Sequence, residues 1–266
     1  IFIGGGYISF EFAHLAARFG SKVTILHRGK MPLVGFDPDL VKMLLKKTQE
    51  VGINVRLLSS VKKIDYRDNG RVFTVYISTS ENNTNNTEES DVVETDLVVH
   101  GAGRIPDTEN LTLEQGEVER DRMGSVKVNE YLQSVSNTAV YAAGDVASTK
   151  GIPLTPVAGY EGQIVAENLL KGKHSRPNYE GIPSVVFTIP PLASVGLHEN
   201  SARQQGLQFR TNFQDTSSWY SSRRIMESCS GYKVLIEETT NRILGAHVLG
   251  PHAEEIINIF ALAIRL

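Results

Sequence analysis

The chain has 266 residues, and its 27 basic and 30 acidic side chains give a formal charge of −3 with the histidines neutral. A composition of 41% hydrophobic and 21% charged residues is that of a globular protein with an ordinary core, and no basic excess is available to hold a phosphate backbone, which excludes nucleic acid as a partner. No apolar run approaches the roughly 18 residues of a membrane span. No signal-peptide pattern is read at the start, so no membrane partner and a cytoplasmic location are expected. A single cysteine, Cys229, excludes a disulfide framework, a thiolate metal cluster and a redox dithiol built from this chain alone, and no metal site is expected.

Ile1-Phe2-Ile3 reads as half of a buried strand running straight into Gly4-Gly5-Gly6. A helix over Tyr7 to Phe19, closed by Gly20, follows. Val23 to Leu26 is a β-branched apolar run typical of a buried parallel strand. A second helix begins with Asp37 as N-cap and Pro38 at its first position, ends near Val51-Gly52, and leads to a strand over Ile53 to Leu57. This βαβαβ order predicts an α/β fold with a doubly wound, Rossmann-like parallel sheet. Val61 to Tyr66, Val72 to Ser78 and Val92 to His100 read as three strands of an antiparallel excursion. A polar tip over Glu81 to Ser90 carries formal sequons at Asn82 and Asn85, which have little weight without a secretion signal.

From Asp107 to Tyr179 the pattern is irregular, with a segment at Tyr141 to Val146 and a helix over Val157 to Leu170. A polar linker, Lys171 to Pro177, precedes strands at Ser184 to Phe187, Tyr232 to Glu237 and Ile243 to Leu249, and helices near Glu199 to Gly206 and Ala253 to Leu266. That order suits a separate α+β unit. The chain opens mid-strand and its last helix lacks a stop signal, so it is expected to be a piece of a longer protein.

The strand–turn–helix at Gly4, Gly6 and Ser9 has the spacing of a dinucleotide fingerprint. The first glycine permits the turn, the second lets backbone approach a pyrophosphate, and a small third residue lets helix meet strand. At the end of the second strand an NAD site needs a carboxylate for the ribose. His27-Arg28-Gly29-Lys30 stands there instead, with no acid before Asp37. Arg28 offers a fork of donors to a phosphate, with Lys30 or His27 as helpers, so NADP is favoured over NAD.

Gly4 through Ala13 resembles the nicotinamide loop of the class I pyridine nucleotide–disulfide oxidoreductases. Further motifs follow in the family's order: Gly101-Ala102-Gly103-Arg104-Ile105-Pro106-Asp107, then Thr138 through Asp145 with Leu154-Thr155-Pro156-Val157-Ala158, then Phe187 through Pro191 with Val195 through Glu199, and finally Ile243 through His247 with Gly250 through Ile257. The resemblance implies an FAD- and NADPH-dependent homodimer passing hydride from NADPH to flavin and on to a disulfide-type substrate. It implies an NAD(P)-binding domain over 1–106, the second segment of an FAD-binding domain over 107–178, and a dimerisation domain over 179–266.

It also implies residue roles. Tyr7 would cover the nicotinamide side of the flavin, Glu11 would lie near the nicotinamide amide, and Ile8, Val61, Gly103 and Arg104 would join the nucleotide site. Gly144 and Asp145 would hold the FAD ribityl hydroxyls, and the helix start at Thr155, Pro156, Val157 and Ala158 would aim amide donors at the flavin pyrimidine edge. The family's first FAD motif, its cysteine pair and its catalytic His–Glu pair have no counterpart in the sequence. No catalytic residue is therefore assigned, and the chain alone is expected not to turn over. An NAD-linked dihydrolipoamide dehydrogenase-like member, a flavin reductase without the dyad, or a nucleotide-binding or dimerisation module without flavin chemistry are the alternatives. Cys229, His247 and His252 read as structural.

Overall fold

In the computed structural model the described residues are 1–67, 72–79 and 90–266. Asn82, Asn85 and nearly all of the expected polar tip lie outside them. The described residues form two compact units: 1–103 with 181–266, and 104–180.

The first unit begins with β1 (Phe2–Ile3), which ends at Gly4 with φ of +113°. A Cβ on Gly4 would overlap the Gly101 carbonyl, so glycine is required for the turn. Helix α1 (Tyr7–Arg18) follows and buries Ser9, Phe10, Ala13 and His14 at helical spacing. After β2 (Thr24–Leu26), helix α2 (Pro38–Glu50) starts where expected, the Asp37 carboxylate accepting hydrogen bonds from the Asp39 and Leu40 amides. β3 (Asn54–Arg56) completes the βαβαβ run.

An antiparallel excursion then comprises β4 (Ser59–Arg67), β5 (Val72–Thr79) and β6 (Ser90–Thr95). The run expected as one strand over Val92 to His100 is two. Its first part pairs with β5, and after a break at exposed Asp96 and Leu97 the chain returns as β7 (Val99–His100). The Thr95 hydroxyl donates to the Leu97 carbonyl and closes the turn that moves the chain between sheets. The parallel sheet has the order β3-β2-β1-β7.

The second unit pairs β8 (Val126–Lys127) with β9 (Ala147–Ser148) over a small core of Val118, Val126 and Ala142. The expected Tyr141 to Val146 segment holds a single 3₁₀ turn at Gly144–Val146. Helix α3 (Thr155–Lys171) carries buried Asn168, which donates to the Tyr131 and Ser175 carbonyls and accepts the His174 and Ser175 amides, so the polar linker is pinned at its middle.

The chain re-enters the first unit with β10 (Ser184–Val186), β11 (Leu192–Gly196), α4 (Glu199–Gln204), β12 (Phe209–Asp215), α5 (Tyr220–Arg224), β13 (Gly231–Glu237), β14 (Ile243–Leu249) and α6 (Ala253–Arg265). The five strands make an antiparallel sheet of order β10-β11-β14-β13-β12, covered on one face by Ala253, Ile257, Ala261 and Ile264 of α6. This segment shares a core with residues 1–103: Val186, Leu192, Cys229 and Leu249 are buried with Phe10, Ile25, Leu40, Leu44 and Ile53. Each such fully buried side chain stabilises the fold by about 1.5–3 kcal/mol. Among the described residues no helix is long and apolar enough to cross a membrane.

Candidate cofactor sites

At the start of α1 the chain leaves its amides open. Gly6 is the N-cap, no side chain caps the helix, and the first turn holds no acid. A Cβ on Gly6 would meet only the Gly101 carbonyl oxygen, at 3.9 Å, so the mouth of the turn has room. Gly5 is covered by the His27 ring, and Ser9 is fully buried with its hydroxyl unpartnered against Gly101. A small third fingerprint residue is thus required where α1 meets the strand. Tyr7 is 39% exposed at the first helical position, with Ile8 half-buried behind it. Unpaired amides and the positive end of the helix dipole fit a pyrophosphate.

Of the three basic residues expected at the coenzyme phosphate, Arg28 and Lys30 are available and His27 is committed. Arg28 and Lys30 are exposed and have no ion pair among the described residues. His27 donates from Nε2 to the Met31 carbonyl at 3.0 Å, its ring wedged beside Gly5 and Gly29. The Leu33 amide donates to the Gly5 carbonyl at 2.8 Å and ties the same loop to the glycine turn. Val61 packs in the cluster of Ile1, Leu26, Val75 and Ile77, and Gly103 is exposed at a φ of +115°.

Glu11 is partly spoken for, because its Oε1 accepts the Phe187 amide at 2.9 Å. One turn on, His14 Nδ1 accepts the Ile189 amide at 3.2 Å, which leaves its proton on Nε2 toward Thr48. Burial holds the His14 pKa down at about 4.

In the second unit Asp145 is exposed and lies 3.6 Å from the Arg104 guanidinium, itself exposed. Such a surface pair contributes less than about 1 kcal/mol and leaves the carboxylate able to accept other donors. Helix α3 repeats the pattern of α1, with no capping side chain and no acid in its first turn, and with Thr155 and Pro156 exposed. Val157 turns its side chain into the core, so only its backbone is available to a ligand. Gly144 is required twice over: its φ is +72°, and a Cβ there would lie 2.9 Å from that of Ala158.

Family models extend these observations along the chain. The pyridine nucleotide-disulphide oxidoreductase model matches residues 1–162, and the dimerisation domain of the same group matches 182–266. The chain belongs to the pyridine nucleotide-disulphide oxidoreductase family. It is 36% identical over 267 aligned positions to a glutathione reductase of Burkholderia cepacia and 33% identical over 263 to a mercuric reductase of Staphylococcus aureus, matching 99% of this chain and 55% and 46% of theirs. An uncharacterized 19.7 kDa protein in a mercuric resistance operon of Staphylococcus aureus is 49% identical over 58% of this chain and 86% of its own length. Among solved structures, the Cu(II) complex of the HOCl-induced flavoprotein disulfide reductase RclA from Escherichia coli superposes with a TM-score of 0.82 at 28% identity, over 99% of this chain and 56% of that one. The chain thus spans about half the length of the reductases it matches.

Other buried polar groups of this family member have packing roles. Burial, then the nearby Glu227 carboxylate, pushes the Cys229 thiol up to about 12, which removes it as a nucleophile. His247 is fully buried, accepts the Ser194 hydroxyl at 2.6 Å, donates to the Leu197 carbonyl at 3.2 Å and stacks on His198. Burial, then neighbouring His198, lowers its pKa to about 4. His252 is exposed and stands at the N-cap position of α6 in a left-handed conformation, without a side-chain capping bond. Lys233, 2% exposed, lies 2.8 Å from Asp37, 2.5 Å from Asp39 and 3.6 Å from Glu199. Burial alone would lower its pKa, but bonds to Asp37 and Asp39 outweigh that and raise it.

Sequence reasoning passed over one residue of the second unit. Glu161, 1% exposed on α3, accepts the Gly144 amide at 2.6 Å on one oxygen, and the Thr149 hydroxyl at 2.9 Å and the Tyr179 hydroxyl at 2.6 Å on the other.

Proposed function

We propose that these residues form the NADPH-binding part, the second FAD-binding segment and a dimerisation surface over 179–266 of a cytoplasmic homodimeric oxidoreductase, which passes hydride from NADPH to flavin and on to a disulfide-type substrate. The observation that carries this reading is the pair of glycine-led loops running into helices, α1 and α3, that have neither a capping side chain nor an acid in the first turn. Bound FAD would supply hydride acceptance and electron release, while the protein binds, orients and tunes it.

In this reading Gly4, Gly6 and the amides of Tyr7, Ile8 and Ser9 hold the pyrophosphate. Arg28 and Lys30 hold the extra phosphate of NADPH, with His27 shaping the loop that presents them. Tyr7 stacks at the nicotinamide side, where a planar side chain excludes water, and Glu11 uses its second oxygen there. Val61, Gly103 and Arg104 border the nucleotide. Gly144 and Asp145 serve the ribityl chain, and the first turn of α3, from Thr155 through Pro156 and Val157 to Ala158, faces the flavin ring with the Thr155 and Val157 amides open, since Pro156 has no N–H and the Ala158 amide donates to the Leu154 carbonyl. With buried Cys229 as its one thiol, the 266-residue chain is proposed not to reduce disulfides alone; NADPH-dependent disulfide reduction by it would overturn that part. The coenzyme assignment is tested by comparing NADPH and NADH affinities before and after Arg28→Ala. The substitution is expected to weaken NADPH about tenfold or more and leave NADH nearly unchanged. Equal affinities in both proteins would overturn the choice of NADP.

A further inference from the structure

We infer that Glu161 is a positioning residue for the flavin segment, a buried carboxylate that fixes the Gly144–Asp145 loop by its hydrogen bond to the Gly144 amide; this rests on the reading of Asp145 and α3 as FAD-binding. Three donors from two stretches of chain, one backbone amide and two side-chain hydroxyls, converge on the one side chain. Gly144 immediately precedes Asp145, Thr149 lies at the far end of the same loop, and Tyr179 comes from the segment after α3. The carboxylate accepts all three donors and donates to none, so the arrangement is electrostatically of one sense.

The surroundings are shaped around it. Gly151 leaves the space the carboxylate and its partners fill: a Cβ there would lie 2.8 Å from the Tyr179 ring, 3.0 Å from Glu161 Oε1 and 3.1 Å from Val157. The Gly151 amide in turn donates to the Thr149 hydroxyl at 3.1 Å, so that hydroxyl is held pointing at Glu161. Gly144 cannot hold its own conformation by side-chain packing, having none, and its φ of +72° is one of many a glycine can adopt. The hydrogen bond to Glu161 removes that freedom. Asp145, exposed and paired among the described residues with exposed Arg104, takes its direction from the residue before it. Tyr179 is the third support, its phenol pushed up to about 12 by burial and by the bond it donates to Glu161, so it remains a donor throughout the physiological range.

Glu161→Gln keeps the shape but removes the charge. The Gly144 N–H cannot turn round, so the amide oxygen must face it, and both hydroxyls must rotate to accept from the amide nitrogen. FAD titrated into the chain and followed by flavin fluorescence is expected to bind about three- to tenfold more weakly to Glu161→Gln than to the unsubstituted chain, while NADPH affinity moves by less than twofold. Amide hydrogen exchange at Gly144 without ligand is expected to speed up in Glu161→Gln, and by on the order of a hundredfold in Glu161→Ala if that variant folds. A folded Glu161→Gln protein with unchanged Gly144 exchange overturns the inference, whether or not flavin binds. Unchanged FAD affinity in that variant overturns it as well. Absence of FAD binding to the unsubstituted chain, with faster Gly144 exchange in the variant, counts against the flavin reading and leaves Glu161 as the residue that holds the loop.

Discussion

Helices α1 and α2 belong to the same compact unit and open in opposite ways. The first amides of α2 are taken by the Asp37 carboxylate, Asp39 adds a second negative charge in the first turn, and buried Lys233 pairs with both, Lys42 adding a second cation at Asp39. The first amides of α1 follow a bare Gly6, with no acid in the first turn and two exposed cations, Arg28 and Lys30, in the loop after β2. A helix that ends its own electrostatic demand internally has no use for an anion. One that leaves the demand open is prepared for a phosphate. The same contrast separates α6, with Glu254 and Glu255 in its first turn, from α3, which has no acid there.

The closed end is broken most severely by removing its cation. Lys233→Met leaves the Asp37 charge buried without its partner and is expected to cost about 3–5 kcal/mol in a urea titration. Adding Asp37→Asn, which keeps a capping oxygen without the charge, is expected to recover more than half of that loss. No recovery would mean that Lys233 matters through packing rather than charge.

Acid is the next largest perturbation. His14 and His247 are held neutral at pKa values of about 4, well below that of the same side chain in the unfolded chain. The unfolded state therefore binds more protons as pH falls, so stability is fully present above about pH 6.5 and declines toward pH 4, by up to about 3 kcal/mol for each ring. Urea midpoints measured from pH 8 to 4 check this, and substituting His14→Gln is expected to flatten the acid limb. The smallest effect comes from closing the open end. Gly6→Asp has room and an ordinary φ of −87°, so the fold should change by less than about 0.5 kcal/mol. NADPH affinity should drop about tenfold through repulsion of the pyrophosphate. Unchanged NADPH affinity in the substituted chain would remove α1 from the nucleotide site.

What could be read from the sequence was what local chemistry states outright. Asp37-Pro38 names a helix start, Gly4 and Gly20 name turns, and helical periodicity places α1, α3 and α6. The run from Val92 to His100 reads as one strand because its apolar residues continue through Leu97, while the break at Asp96 is set by which sheet each half joins. Strand β12 escapes notice because all but one of its residues are exposed, so neither face shows alternation, and β11 is five residues hidden behind Pro190-Pro191. Glu161 reads as a surface acid on a helix because its donors lie 12 to 18 residues away along the chain. His27 has the right residue type for a phosphate, yet its donor is consumed four residues on, at Met31.

The discontinuity of the first unit bears on how the protein is made. Glu11 and Phe187 are bonded across 176 residues, and His14 and Ile189 across 175, with the whole second unit synthesised in between. As the chain emerges, Phe10, Leu40 and Leu44 have no Val186, Leu192 or Leu249 to cover them until well over a hundred further residues have been made. The segment 1–103 is therefore not an early-folding module, and a truncation near residue 180 would strip one wall from its core rather than release an autonomous domain.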